Sequence, residues 1–91
     1  MKRVYKYALL PMGDIVVVHL PFGAGVLTVH EQKGEVYLWA LVDPLETATT
    51  ARTFRIAGTG HDMSDAECDE YVGTFFLCGN QLVFHVFEVM S

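Results

Sequence analysis

The stretch that decides the fold is Val36-Tyr37-Leu38-Trp39-Ala40-Leu41-Val42, in which every side chain is apolar. A β-strand sends alternate side chains to opposite faces of its sheet, so this strand presents apolar groups in both directions. One face can meet the core of the chain, while the other needs a second layer or another molecule. The stretch therefore predicts a β protein that binds or self-associates through apolar surface.

Working outward, short apolar runs punctuated by Gly, Pro or Asn fill the rest of the chain. The predicted strands cover residues 3–10, 14–20, 26–31, 35–43, 51–57, 71–78 and 82–89. Between the third and fourth, Gln32-Lys33-Gly34 suits a tight hairpin, with Gly34 able to take a positive φ. Seven strands at this spacing predict one all-β domain over residues 1–91, an antiparallel sandwich or a partly open barrel.

Two finer features are predicted within this fold. The inner layer should contain four aromatic residues, Trp39, Phe54, Phe76 and Phe84. Ser64-Asp65-Ala66-Glu67 matches the capping box, in which Ser and Glu satisfy the first free amides of a helix. We therefore expect one short helical turn near residues 64–70.

The composition points to an assembly. The 91 residues are 52% hydrophobic and only 19% charged, and the mean hydropathy is +0.31. A domain this small cannot hide so much apolar surface within itself. Because closed symmetric assemblies are the usual outlet for such surface, we expect a homo-oligomer.

The charge balance narrows the class of partner. Six basic and eleven acidic residues give a net charge of −5, and nucleic-acid binders carry a basic patch instead, so direct duplex binding is not expected. Five acids fall within nine residues: Asp62, Asp65, Glu67, Asp69 and Glu70. They form either a solvated loop or a patch that docks on a basic partner surface, to which Trp39 would add an aromatic contact.

The two cysteines and the N-terminal segment indicate in which compartment the protein resides. Cys68 and Cys78 form no disulfide framework and no metal-type spacing. Lys6, Pro11 and Asp14 interrupt any signal-peptide core, and no apolar run approaches the ~18 residues of a membrane span. We expect a cytoplasmic protein without a membrane segment.

The most site-like segment is Arg52-Thr53-Phe54-Arg55-Ile56-Ala57-Gly58-Thr59-Gly60-His61. Arg52 and Arg55 lie three residues apart on one strand and so point to opposite faces. Gly58 and Gly60 can expose backbone amides that hold a phosphate or carboxylate. Thr59 adds a hydroxyl and His61 an imidazole. These residues are the predicted contacts for an anion or nucleotide, although the glycines also suit a simple tight bend.

Metal, cofactor and catalytic chemistry are poorly supported. His19, His30 and His85 lie within predicted strands without converging ligands, so hydrogen-bonded sheet histidines are expected rather than a zinc site. Cys68 lies among acids that suppress its thiolate, and Ser64 is explained by the cap. We expect no metal, no cofactor, no catalytic residue and no enzymatic activity.

Five ordered blocks carry a resemblance: residues 38–44 (LWALVDP), 52–56 (RTFRI), 58–61 (GTGH), 71–75 (YVGTF) and 82–88 (LVFHVFE). Together they resemble a family of small proteins of unknown function encoded by tailed phages and prophages. The resemblance implies a phage accessory protein made in the bacterial cytoplasm. It transfers no catalytic residue.

That context suggests three functions. The first is stoichiometric inhibition of a host antiviral defence protein, as an anti-CRISPR protein would do, through the acidic or apolar surface. The second is a sponge that sequesters a nucleotide immune signal with Arg52, Arg55 and residues 58–61. The third is a structural virion or tail accessory protein, because two-sided apolar strands suit permanent assembly equally well.

Overall fold

The computed structural model describes residues 1–10, 13–64 and 69–90. Its elements are seven strands: β1 (Arg3–Ala8), β2 (Ile15–Pro21), β3 (Gly25–Gln32), β4 (Glu35–Val42), β5 (Thr49–Gly58), β6 (Asp69–Leu77) and β7 (Leu82–Val89). All strand pairs are antiparallel. The prediction of an antiparallel all-β fold with seven strands is confirmed.

The strands form a sandwich rather than a barrel, because they fall into two separate sheets. The three-stranded sheet has the order β1-β4-β3, and the four-stranded sheet has the order β2-β5-β7-β6. The sheets approach most closely where β3 faces β6. A Cβ added to Gly73 of β6 would lie 3.0 Å from Val29 Cγ1 and 3.2 Å from Thr28 Oγ1 of β3. Glycine at this position lets the two sheets meet.

The core follows the two-residue period of the strands. Fully buried side chains from both sheets include Val16, Leu20, Leu38, Val42, Phe54, Phe75 and Val86. Many are β-branched or aromatic, and these side chains pack well on a pleated surface. In β4 the buried positions are Val36, Leu38, Ala40 and Val42, so the alternate residues point away from the core.

The predicted inner aromatic layer is half right. Phe54 is fully buried, and Phe84 packs against the core with its ring stacked on Phe75 at 5.4 Å between centroids. Phe76 is 47% exposed, and its neighbour Phe75 is the buried one. A β-bulge between Tyr71 and Gly73 inserts one extra residue, which reverses the inward side of all later residues in β6.

Trp39 was also wrongly predicted to be in the inner layer, since it is on the outer side of β4 and only partly buried. Its cover comes from the same chain. The Lys6 ammonium lies 4.5 Å from the Tyr37 ring centroid and 6.0 Å from that of Trp39. Lys6 Nζ also donates a hydrogen bond of 2.8 Å to Gln32 Oε1. The apolar outer side of β4 is thus capped by a lysine that keeps its charge in water.

The predicted helical turn is not found in the described residues. Ser64 lies in a turn, and Asp69 and Glu70 already belong to β6. The Ser64 hydroxyl bonds to the Asp62 carboxylate, so it does not cap a helix through this contact. The central four residues of the prediction, 65–68, lie outside the described part of the chain. Extending β6 back to Asp69 gives its backbone the hydrogen bonds of a sheet instead.

The predicted hairpin between β3 and β4 is confirmed. Gln32 pairs with Glu35, which leaves a two-residue turn of Lys33 and Gly34 with φ values of +54° and +83°. Positive φ at both positions is the signature of a type I′ turn, whose twist matches that of the strands. The Gly34 amide donates to the Glu31 carboxylate and fixes the turn further.

Candidate functional site

Arg52 anchors one end of the sandwich through an ion pair on the inner side of β5. Its Nε and Nη2 donate to the two carboxylate oxygens of Glu88, the Nη2–Oε1 distance being 3.0 Å. Its Nη1 donates to the Ala24 carbonyl at 2.9 Å. The hydrogen bonds to Glu88 raise the pKa of the Arg52 guanidinium. The arginine thereby ties β7 to the β2–β3 loop with its charge neutralised.

A shallow cleft of about 270 Å³ lies beside this ion pair. Its walls include Arg52, Glu88, Glu70 and Met90. Glu70 is directly opposite Glu88 in the β6–β7 register, so the cleft holds two carboxylates and one guanidinium. The cleft is therefore acidic, which favours a cationic group over an anion.

Two loops place apolar side chains in solvent at this same end. The Phe22 amide donates to the Ala48 carbonyl at 2.9 Å, which joins the β2–β3 loop to residues 43–48. Phe22 is 65% exposed, Leu45 78% and Met90 52%. We define the loop end as these three residues together with the acids Asp43, Glu46 and Glu70. It combines apolar tips with three carboxylates, and the exposed Arg3, which pairs with Val42 just before Asp43, lies beside it.

The acids of the 43–48 loop also shape it. Asp43 Oδ1 accepts the Leu45 amide at 3.0 Å, and Glu46 Oε2 accepts the Ala48 amide at 3.1 Å. A further bond of 3.0 Å runs from the Glu46 amide to the Asp43 carbonyl. These local bonds hold Leu45 outward between two carboxylates. The projecting side chain is therefore presented by an ordered turn.

Arg55 lies on the opposite face of β5 from Arg52, as predicted from their spacing. Its Nε donates to Asp69 Oδ2 at 2.7 Å, and the Asp69 side chain is only 5% exposed. Both arginines that were predicted to bind an anion are thus paired with carboxylates of their own chain. A ligand phosphate would have to compete with those carboxylates.

The predicted Gly58–His61 nest is a closed turn in which three backbone amides are already engaged. Gly58 N donates to His61 Nδ1 at 3.1 Å, Thr59 N to the Val83 carbonyl at 3.3 Å, and His61 N to the Gly58 carbonyl at 3.0 Å. The His61 ring packs so closely on Gly58 that an added Cβ would lie 2.8 Å from Cε1. Gly60 supplies the positive φ of the turn. A cleft of about 440 Å³ beside the turn is lined by Thr59, His61 and Gln81.

The structure does not assemble the predicted ligand contacts into one site. Arg52 is six residues before Gly58 on β5, which separates them by ~20 Å at the usual rise of a strand. Arg55 lies on the same sheet as the turn but is held by Asp69. The residues predicted to bind an anion are therefore spread along β5. Arg52 is on the inner face toward one end, Arg55 is on the outer face near the middle, and the Gly58–His61 turn is at the other end.

The acidic segment is also divided. Asp62 is exposed and accepts hydrogen bonds from the Ser64 amide (2.9 Å) and hydroxyl, which lower the pKa of its carboxyl group. Asp69 is buried in its pair with Arg55, while Glu70 is exposed beside the Arg52 cleft. Asp65 and Glu67 lie outside the described residues. Of the described acids in this segment, Asp62 and Glu70 are thus the exposed ones.

A hydrogen-bonded chain on the outer face of the four-stranded sheet escaped sequence reasoning. His85 Nε2 meets Thr59 Oγ1 at 2.9 Å and its Nδ1 meets Thr74 Oγ1 at 3.0 Å. Thr74 Oγ1 in turn meets the Tyr71 hydroxyl. His85 is thus a hydrogen-bonded sheet histidine, as predicted. Its partners depend on the β6–β7 register, which the bulge shifts in a way that periodicity does not show.

Metal-binding clusters and long apolar helices are both absent from the described residues. No group of three or more His, Cys, Asp or Glu side chains is placed to hold a metal ion among them. The described residues also contain no helix that is long and apolar enough to cross a membrane. Every buried side-chain nitrogen or oxygen in this part of the chain has a hydrogen-bond partner.

Comparison with known proteins identifies the family. Neither the curated proteins nor the solved structures include a significant match to the chain. A family model described as "Domain of unknown function (DUF7352)" matches residues 1–91, which agrees with the resemblance to a family without assigned function. The chain therefore belongs to the DUF7352 family of domains.

Proposed function

We propose that this protein is a non-catalytic binding protein of phage or prophage origin that inhibits a bacterial defence protein by stoichiometric binding through its loop end. The observation that carries the proposal is the combination of solvent-exposed Phe22 and Leu45 with Glu46 and Glu70 on the same end of the sandwich. Ordered loops on a rigid sheet scaffold are the usual place for a binding surface. Proteins that handle nucleic acid, including many defence proteins, offer the complementary basic surface.

The distribution of charge supports a basic partner. The last 49 residues contain eight acidic and two basic side chains, against three acidic and four basic ones in the first 42. Both basic residues of the second group, Arg52 and Arg55, are paired with carboxylates. Among the described residues, the exposed acids Glu46 and Glu70 of the loop end take part in no ion pair, so we expect them to steer association with a positively charged surface.

The same contacts weigh against the nucleotide-sponge alternative. A sponge needs cationic groups and amides directed at phosphates. Here Arg52 and Arg55 already serve Glu88 and Asp69, and three amides of the Gly58–His61 turn are used internally. The exposed apolar side chains also support the alternative of a structural virion protein. Plating assays and the content of purified virions distinguish that role from inhibition.

The test is a phage-plating assay in bacteria that carry one defined defence system and express the chain. We expect expression to restore plating of a phage that the system restricts. Phe22→Ser with Leu45→Ser, or Glu46→Lys with Glu70→Lys, should abolish the restoration. Leu10→Ser and Asp14→Lys are the matched controls, because Leu10 is 61% exposed and Asp14 is also exposed, both at the other end of the sandwich.

A titration of the purified defence protein then distinguishes binding from catalysis. Stoichiometric inhibition ends at a fixed molar ratio, and charge reversal at the loop end should slow association most at low salt. Inactivation by substoichiometric amounts of the chain would contradict the proposal. So would its recovery as a fixed component of purified virions with no effect on any restricting system tested.

A further inference from the structure

The two outer faces of the sandwich differ in what covers them. On the three-stranded sheet, Lys6 lies over Tyr37 and donates to Gln32, so a charged group occupies the middle of the face. Burying that face would remove water from the ammonium, and lysine is depleted at the cores of protein interfaces for this reason. This face is suited to solvent.

The outer face of the four-stranded sheet is apolar instead. We define the four-strand face by its apolar side chains, Ile15, Val17, Tyr71, Phe76, Val83 and Phe87. Ile15 and Val17 are each 48% exposed, Tyr71 is 58% exposed and Phe76 is 47% exposed. Tyr71 and Phe87 form an edge-to-face pair with centroids 5.5 Å apart. Partly exposed aromatic side chains of this kind are typical anchors of interfaces.

Several polar groups on the four-strand face have partners within the chain. Arg55 and Asp69 pair with each other at 2.7 Å. His85 uses both ring nitrogens on the hydroxyls of Thr59 and Thr74. Covering this face would therefore meet a balanced ion pair and a bonded histidine. Among the described residues, however, Arg55 donates only through Nε, and His19 and Thr53 on the same face make no side-chain hydrogen bond, so the second copy or water must supply partners for them.

We propose that a second copy of the chain docks on the four-strand face to form a two-fold symmetric dimer. A two-fold interface places one patch against itself, so any net charge in the patch meets the same charge in the partner. The chain as a whole has a net charge of −5 and repels its copy. On this face the Arg55 and Asp69 charges cancel, which makes it a surface that two copies can share.

The size of the face agrees with a modest dimer. Four strands at ~4.8 Å spacing and ~8 residues of ~3.3 Å rise cover roughly 500 Å². Standard interfaces bury ~600–1,000 Å² of accessible surface per partner, so the face approaches the lower end of that range. We expect a dissociation constant on the order of 10 µM. The inference goes beyond host binding, because the four-strand face shares no residue with the loop end.

Sedimentation velocity across 1–200 µM chain tests the dimer, with a reductant present because Cys78 is exposed and could cross-link copies. The mass should rise from 10.2 kDa toward twice that value as concentration increases. Phe76→Asp and Ile15→Asp should each raise the dissociation constant at least ~10-fold. Both side chains point outward, so circular dichroism and the melting temperature of the monomer should show a retained fold.

Val4→Asp is the matched control, because Val4 is 52% exposed on the outer face of the other sheet. It should dimerise like the unmodified chain. A monomer at 200 µM would overturn the inference. A dimer that survives both Phe76→Asp and Ile15→Asp would also overturn it, as would one lost in Val4→Asp alone. None of these outcomes bears on the loop end, whose variants are read in the plating assay.

Discussion

Arg52 and Arg55 lie three residues apart on one strand and are both neutralised by carboxylates, but the two ion pairs have different tasks. The side chains have similar exposure, 22% for Arg52 and 26% for Arg55, and their partners Glu88 and Asp69 are nearly buried. Among the described residues, Arg52 makes three hydrogen bonds and joins β5, β7 and a loop, whereas Arg55 makes one to Asp69. The two arginines have the same charge and similar burial, but the number of hydrogen bonds differs. Arg52 therefore acts as a structural anchor, whereas the Arg55–Asp69 pair mainly leaves its surface electrically neutral.

The largest loss of stability is expected when the Glu88 carboxylate is replaced by a neutral group of the same shape. Glu88→Gln leaves the Arg52 charge partly buried and unbalanced, and it removes one acceptor from a bidentate pair. We expect unfolding free energy to fall by about 2 kcal/mol, below the ~3–5 kcal/mol of fully buried pairs because solvent still reaches Arg52. Urea denaturation measures the change.

A double variant serves as the control for that prediction. Arg52→Met with Glu88→Met removes both charges, and the stability should recover to within about 1 kcal/mol of the unmodified chain. A double variant as unstable as Glu88→Gln would mean that the hydrogen bond from Arg52 to the Ala24 carbonyl, rather than charge balance, dominates at this end.

Asp69→Asn is the matched change at the second pair, and its effect should be smaller. Asn keeps an oxygen that can accept the single bond from Arg55, so we expect a loss of about 1 kcal/mol. The same variant leaves Arg55 unbalanced on the four-strand face, and the proposed dimer should weaken. Denaturation of the dilute monomer and sedimentation at high concentration separate the two effects. Equal losses for Asp69→Asn and Glu88→Gln would remove the distinction between the pairs.

Sequence periodicity predicts the strands, but it does not predict the two ion pairs. The hairpin at Gly34 and the opposite directions of Arg52 and Arg55 follow from local rules of φ and of alternation. Glu88 is 36 residues from Arg52, and Asp69 is 14 residues from Arg55, so their pairing depends on strand order. Because of the bulge before Gly73, Phe75 rather than Phe76 points into the core, since one inserted residue reverses the inward and outward sides of the rest of the strand. Strand order and bulges are settled by tertiary packing, which no single segment encodes.

In the Gly58–His61 turn, which follows Arg55 along the chain, the His61 ring occupies the space that was predicted to hold an anion. Gly58→Ala would place a Cβ 2.8 Å from His61 Cε1, so the imidazole must leave the Gly58 amide. We expect a loss of about 1 kcal/mol, mainly the cost of that hydrogen bond. Adding His61→Ala to Gly58→Ala should cause no further loss of stability. Thermal melts of Gly58→Ala, His61→Ala and the double variant give the comparison. Full additivity of the two changes would show that the ring and the glycine act independently.

The smallest expected effect concerns Asp62, an acid held by a local bond rather than by an arginine. Bonds from the Ser64 hydroxyl and amide lower the pKa of the Asp62 carboxyl group. Their contribution to stability is therefore present above the unfolded pKa and disappears as pH falls through the folded pKa. Ser64→Ala should raise the Asp62 pKa, and Ser64→Thr should leave it low, as followed by carbon NMR of the carboxylate. An unchanged titration in Ser64→Ala would assign the effect to the backbone amide alone, in which case Asp62 differs from Glu88 and Asp69 in having no side-chain partner that matters.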